Sequence, residues 1–319
     1  IAGDGPERER LETMVRARGV EADFLGAVDP HRRSELLGAC DAAVLASRVM
    51  PDGRTVSADG LDFYDRLADG MVARGLRPNL TLYHWDMPSA LADLGGWTNP
   101  DVGKWFADYT EAVIGRIGDR MDAVATINEP WCVAWLSHFL GGHAPGLRDI
   151  RAAARAMHPV LVAHARSLEV MRSAGQKNLG IVLNFEHSTP ASEAEADVLA
   201  AKTYDGIYNR WFAGALTHGA YPADVLEVLE PHMPEGWQND MAAISAPIDW
   251  LGVNYYTRSI HEEVPGAIWP SERAVPGDLE KTAMGWEIYS EGLYGFLMRL
   301  GQEFTGDLPI YVTENGMAG

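Results

Sequence analysis

Apolar and polar positions alternate along this chain in two textures. Short apolar runs at residues 1–2, 22–28 and 41–47 are separated by PERERLETMVRARGV and DPHRRSELLGAC, where apolar residues recur at helical spacing among strong helix formers. Asp29-Pro30 fits an N-cap followed by Pro at the first helical position. The rhythm continues to the last residues. Candidate strands at 79–85, 123–129, 178–184, 249–255 and 309–314 alternate with amphipathic stretches such as GLDFYDRLADGMVARGL and VGKWFADYTEAVIGRIGDRM. The segment 262–282 is rich in Pro, Glu and Gly and reads as a long loop. Three strands before residue 50 and five after it make eight. This βα alternation predicts parallel strands, closed as a (β/α)8 TIM-like barrel or opened as a doubly wound sheet. In both folds functional residues collect at the C-terminal strand ends, where TLYHWDMP, TINEP, GVNYY and VTENG lie.

Composition narrows the partners. The 319 residues are 47% hydrophobic, enough for one large core or two ordinary domains, and no run is long enough to span a membrane. A formal net charge of −19 opposes nucleic-acid backbones and anionic membranes and leaves room for a neutral ligand such as a sugar, although acidity also serves solubility alone. Cys40 and Cys132 allow one disulfide, and a reducing, cytoplasmic setting is the simpler expectation. The opening IAGDGPERER carries neither an initiator Met nor a signal pattern, so the start reads as trimmed. No His, Cys, Asp and Glu pattern has metal-ligand spacing, and no cofactor is expected.

Two carboxylates stand out, Glu129 closing ATINEP and Glu314 closing IYVTENG. Barrel closure would set these strand ends across one mouth. Glycoside hydrolysis needs such a pair, one carboxyl protonated to donate to the leaving oxygen and one ionised to attack the anomeric carbon. A gap of about 5 Å would mean retention through a covalent intermediate. Taken alone, two strand-end Glu residues are more often solvated or salt-bridged than catalytic. Flanking Asn128 and Asn315 and the aromatic residues at the other strand ends favour a sugar site, because sugars bind by stacking and amide hydrogen bonds.

From residue 49 to 319, the ordered motifs YHWDMPSAL, GGW, TINEP, GGHAPG, GVNYYTR, MGWEIYSEGLY and IYVTENGMAG resemble glycoside hydrolase family 1 β-glycosidases. The resemblance implies a (β/α)8 barrel and retaining hydrolysis of β-linked glycosides, β-glucosides first; absence of the family's last-strand motif would let β-fucosides and β-galactosides be accepted as well. A small β-linked sugar or aryl glycoside is then the ligand. The resemblance makes Glu129 the acid/base and Glu314 the nucleophile. It makes Asn128 a contact of the sugar 2-hydroxyl, and His84 a ligand of the sugar hydroxyls with Trp85 beside it. It makes Tyr256 the hydrogen-bond partner of the nucleophile, two residues after Asn254. Trp131 and Trp286 match aglycone-side aromatics, with core packing as the alternative. His143 reads as a structural loop residue, and His158 and His164 as helix residues without a chemical role.

The resemblance also implies gaps. Asp41 and Ala46 stand where the family's second strand carries Arg and Trp, and the first strand and the last, WSxxDNFEW-like strand are missing. Residues 1–48 instead resemble part of the C-terminal Rossmann-like domain of GT-B glycosyltransferases of the glycogen-synthase type, through GDGPER, FLG and VLAS. RVMPDG replaces the carboxylates that would bind a nucleotide-sugar, so donor binding is not expected. The expectation is a chimeric or incomplete barrel, in which a fragment at 1–48 completes a truncated glycosidase at 49–319. Homo-oligomers would cover its open edges, and activity would be weak, or lost in a sugar-binding relic.

Overall fold

The computed structural model describes residues 57–316 and the single position Arg16. The readings placed on residues 1–48, Asp41 and Ala46 included, lie outside the described residues. Helix α1 (Ala58–Val72) opens the described region, with Ser57 as its N-cap accepting from the Gly60 amide. Strand β1 (Asn79–Tyr83) follows, then α2 (Val102–Ile117) and β2 (Ala123–Asn128). A π-helical segment (Cys132–Leu140) leads to α3 (Ile150–Met157) and α4 (Pro159–Ser173), and then β3 (Leu179–Pro190). After it come α5 (Glu195–Asp205), α6 (Trp211–His218), β4 (Trp250–Glu263), β5 (Glu272–Val275), α7 (Ser290–Leu300) and β6 (Ile310–Glu314).

Strands β1, β2, β3, β4 and β6 pair in parallel and in chain order. A doubly wound sheet reverses direction at its switch point, whereas a barrel wall keeps stepping the same way. The observed order is the barrel's. On the outer side, apolar residues of α2 and α4 (Phe106, Ile114, Leu161, Leu168) join Leu82, Ile127 and Ile181 of the strands in one buried core. The inner side is closed differently. Ala123, Ala125 and Val182 form a small separate cluster around the Trp250 indole, whose Nε1 donates to the Asn178 carbonyl at 3.0 Å.

Gly180 and Gly252 leave room for that indole. A Cβ at Gly180 would lie 2.5 Å from the Trp250 ring, and one at Gly252 would lie 2.7 Å from the Val182 side chain. Gly180→Ala is therefore expected to destabilise the fold by about 1–3 kcal/mol through overpacking. Urea denaturation would show this as a lower midpoint at unchanged m-value, and an unchanged midpoint would remove the steric argument.

The segment 262–282, read as a loop, is partly strand. β4 runs on to Glu263 and forms an antiparallel hairpin with β5. Its polar side chains pair across the strands: Arg273 with Glu262 as an ion pair, and His261 Nδ1 with Glu272 Oε2 at 2.5 Å as a hydrogen bond. Cross-strand charge pairs stabilise such an arm, while a charge-rich sequence reads as solvated loop. Among the described residues no helix is long and apolar enough to cross a membrane.

Candidate active site

Glu129 follows the last residue of β2 with φ 50°, a left-handed backbone that non-glycine residues adopt at a cost of about 1–3 kcal/mol. Its amide donates to the Val182 carbonyl of β3 at 2.9 Å, which anchors the turn. Such strain turns the carboxyl inward at the strand's C-terminal end. Glu314 closes β6 in register with Asn254 of β4. One strand thus supplies donors to both carboxyls. Asn254 Nδ2 donates to Glu129 Oε1 at 2.7 Å, and Tyr256, two residues on, donates its hydroxyl to Glu314 Oε2 at 2.5 Å. Period-two alternation places the two donors on one face of β4.

The remaining sequence candidates gather round this pair. Asn128 is buried, receives Asn254 Nδ2 on its Oδ1 at 3.1 Å and meets His84 Nε2 at 3.3 Å. Trp85 has φ 81°, donates from Nε1 to the Asn128 carbonyl at 3.0 Å and remains partly exposed. Glu129, Glu314, Asn254, Tyr256, Trp85, Trp131 and Trp286 all line one open cavity of about 710 Å3; His84 and Asn128 are not among its lining residues and join it through Asn254, which donates to Asn128. Trp131 is largely buried against Tyr208, with ring centroids 4.3 Å apart, so it is both core and wall. Trp286 is 40% exposed beside Tyr256. It is held there by its neighbour Glu287, which accepts from Arg258 Nε at 2.6 Å and from the Leu279 amide at 2.8 Å.

The two carboxyls differ in surroundings. Glu129 is 5% exposed and Glu314 is half-buried. Burial pushes the Glu129 carboxyl above the usual carboxylate range, and the negative charges of Glu314 and Glu186 add to that. Hydrogen bonds from Asn254 and Cys132 oppose the rise. The balance favours the protonated form of this carboxyl, as a general acid requires.

Several cavity residues carried no signal in the motif reading. Cys132, Asn184, Glu186, Tyr204 and Tyr208 all face it. Glu186 is a buried acid, also pushed up by burial, and accepts from Tyr204 at 2.5 Å. The strand-end rule points to Asn184 and Glu186, which lie where β3 leaves the buried core. His143, read as structural, borders the cavity with its ring 4.9 Å from that of Trp85. His158 and His164 are buried away from it. His164 Nδ1 lies 2.7 Å from Thr126 Oγ1, and burial pushes its imidazole down to about 3. Among the described residues no group of three His, Cys, Asp or Glu side chains could hold a metal ion.

An α/β barrel wall with two carboxyls and an aromatic-lined cleft at its C-terminal strand ends defines the class. The model of glycosyl hydrolase family 1 matches residues 41–319, and the chain belongs to that family. A β-glucosidase from Agrobacterium sp. is 43% identical over 275 residues, 84% of this chain and 60% of that protein. A solved family 1 β-glucosidase from Thermotoga maritima superposes with TM-score 0.83 at 38% identity, covering 90% of this chain and 67% of that one. The same organism's β-glucosidase in complex with glucoimidazole gives TM-score 0.79 at 36% identity and covers 98% of this chain and 67% of that one. The chain thus spans about three fifths of the length of the curated relatives it matches.

These matches overturn the two-part expectation. The family model begins at residue 41, inside the piece assigned to a GT-B-like fragment, and the solved family 1 structures cover up to 98% of the chain. The chain is a continuous family 1 domain with that family's (β/α)8 fold, not five barrel strands completed by a Rossmann-like graft. The reason is physical. A βαβαβ texture is common to Rossmann domains and barrels, so periodicity cannot separate them, and GDGPER and VLAS impose few constraints.

Proposed function

We propose that the chain is a retaining β-glycosidase acting on β-glucosides, with Glu129 as acid/base and Glu314 as nucleophile. One observation carries the reading. A buried carboxyl, whose hold on its proton is strengthened by burial, and a second, tyrosine-oriented carboxyl line the same aromatic-walled cavity. In the first step a Glu314 oxygen attacks the anomeric carbon, the bond to the aglycone oxygen breaks, and the Glu129 proton passes to that oxygen. In the second, Glu129, now ionised, takes a proton from water as the water oxygen attacks the same carbon and releases Glu314. Two inversions return the starting anomer.

Trp85, Trp131 and Trp286 offer ring faces to sugar and aglycone, and Asn128, with His84 against it, steadies the Asn254 amide that donates to Glu129. β-Fucosides and β-galactosides belong to the same substrate class. The setting is cytoplasmic, a reading supported by the free thiol of Cys132.

The test is a panel of p-nitrophenyl β-glucoside, β-galactoside and β-fucoside with the wild type, Glu129→Ala and Glu314→Ala. Turnover is expected in the wild type, highest on the glucoside, with release of the β-anomer. Sugar binding without turnover above the two variants would identify a relic instead.

A further inference from the structure

Cys132 stands three residues past Glu129, at the start of the π-helical segment, and its thiol donates to Glu129 Oε2 at 3.2 Å. The other carboxyl oxygen, Oε1, accepts from Asn254 Nδ2. Thr313 Oγ1 donates to the Asn254 amide oxygen at 2.6 Å, and Nδ2 donates also to Asn128 Oδ1 at 3.1 Å, so with Nδ2 toward Glu129 both ends of the amide are paired. Nδ2 can donate but not accept, so a proton carried by Glu129 sits on Oε2, beside the sulfur. On its other side the sulfur receives Asn184 Nδ2 at 3.8 Å. Asn184 lines the cavity, so a chain of donors runs from the cavity wall through Cys132 to Glu129.

We propose that Cys132 is a positioning residue for the acid/base, whose aligned thiol holds the proton-bearing oxygen of Glu129 by one weak hydrogen bond. The inference rests on the reading of Glu129 given above. A thiol is a weak donor and a weak acceptor, so it orients Oε2 without binding its proton tightly. It does not compete as an acid, because burial and the adjacent Glu129 push its own ionisation far up. A serine hydroxyl would donate more strongly and favour the ionised carboxyl, and an alanine would donate nothing. The other groups facing Glu129 stay constant in this comparison: Glu314 on β6, Glu186 on β3, Tyr256 and Asn254 on β4, and Tyr208 and His143 on the cavity wall.

The experiment follows the carboxyl itself. Protein labelled with 13C at glutamate side-chain carboxyls is titrated by NMR as wild type, Cys132→Ala and Cys132→Ser, with the Glu129 resonance assigned by its loss in Glu129→Gln. The expected result is a titration midpoint raised by about half a pH unit in Cys132→Ala and lowered below the wild type in Cys132→Ser. A packing defect would not move two variants in opposite directions. Coincident midpoints, or movement in one direction, would overturn the proposal. The titration needs no turnover, so it stands even where the chain hydrolyses no glycoside and the functional reading fails. In an active chain, the alkaline limb of kcat/KM on an alkyl β-glucoside should follow the same order.

Discussion

Glu314→Ala is expected to lower kcat on p-nitrophenyl β-glucoside by on the order of 10^4-fold or more, because under the proposed mechanism it removes the atom that forms the covalent intermediate. Neighbouring groups cannot replace it. Tyr256, which donates to Glu314 Oε2, is pushed up by burial and by that bond and stays a neutral phenol. The variant keeps the ring walls of Trp85, Trp131 and Trp286, so sugar binding should persist.

The space left by the side chain admits a small anion. Azide entering there attacks from the nucleophile's side and displaces the β-linked aglycone once, giving an α-glycosyl azide. Product NMR reads the anomer directly. A β-glycosyl azide from this variant, or undiminished hydrolysis, would mean that Glu314 is not the nucleophile.

Much of this site is readable in the linear sequence, because barrel geometry forces chemistry onto strand ends. Apolar runs bounded by turn residues placed β1, β2 and β6 within a residue or two of their observed limits, and Glu129 and Glu314 fall at the ends of β2 and β6. Strands β3 and β4 were read too short. Their continuations, EHSTP and TRSIHEE, leave the buried core and are only partly covered, so their polar content hides strand pairing that depends on long-range partners.

The cavity wall escaped for a different reason. Tyr204 and Tyr208 lie in and just after helix α5 and reach the cleft through tertiary packing alone. Cys132 gains its contact from its place three residues beyond Glu129, at the entry to a π-helical segment that no local preference announces.

Glu129→Ala should separate the two chemical steps. Without its proton, departure of a poor leaving group slows by on the order of 10^2- to 10^4-fold, while 2,4-dinitrophenolate leaves unaided. On the activated substrate the glycosyl-enzyme then accumulates, visible as a burst, because no base activates water for the second step. Azide now enters from the aglycone side and gives a β-glycosyl azide, the opposite anomer to that from Glu314→Ala.

Stability carries an independent signature of the same residue. Burial, with Glu314 and Glu186 adding to it, raises the Glu129 carboxyl in the folded state above its unfolded value of about 4.3. Between the two values the folded state binds more protons, so this residue's contribution is fully present below the unfolded value and is lost as pH rises through the folded one. Glu129→Gln keeps the acceptor for Asn254 and has no proton to lose. Its Tm should match the wild type, apart from a constant offset, below about pH 4 and rise relative to it toward pH 8. A Tm difference independent of pH would show that Glu129 does not hold its proton in the folded chain, and its assignment as the acid would fall with it.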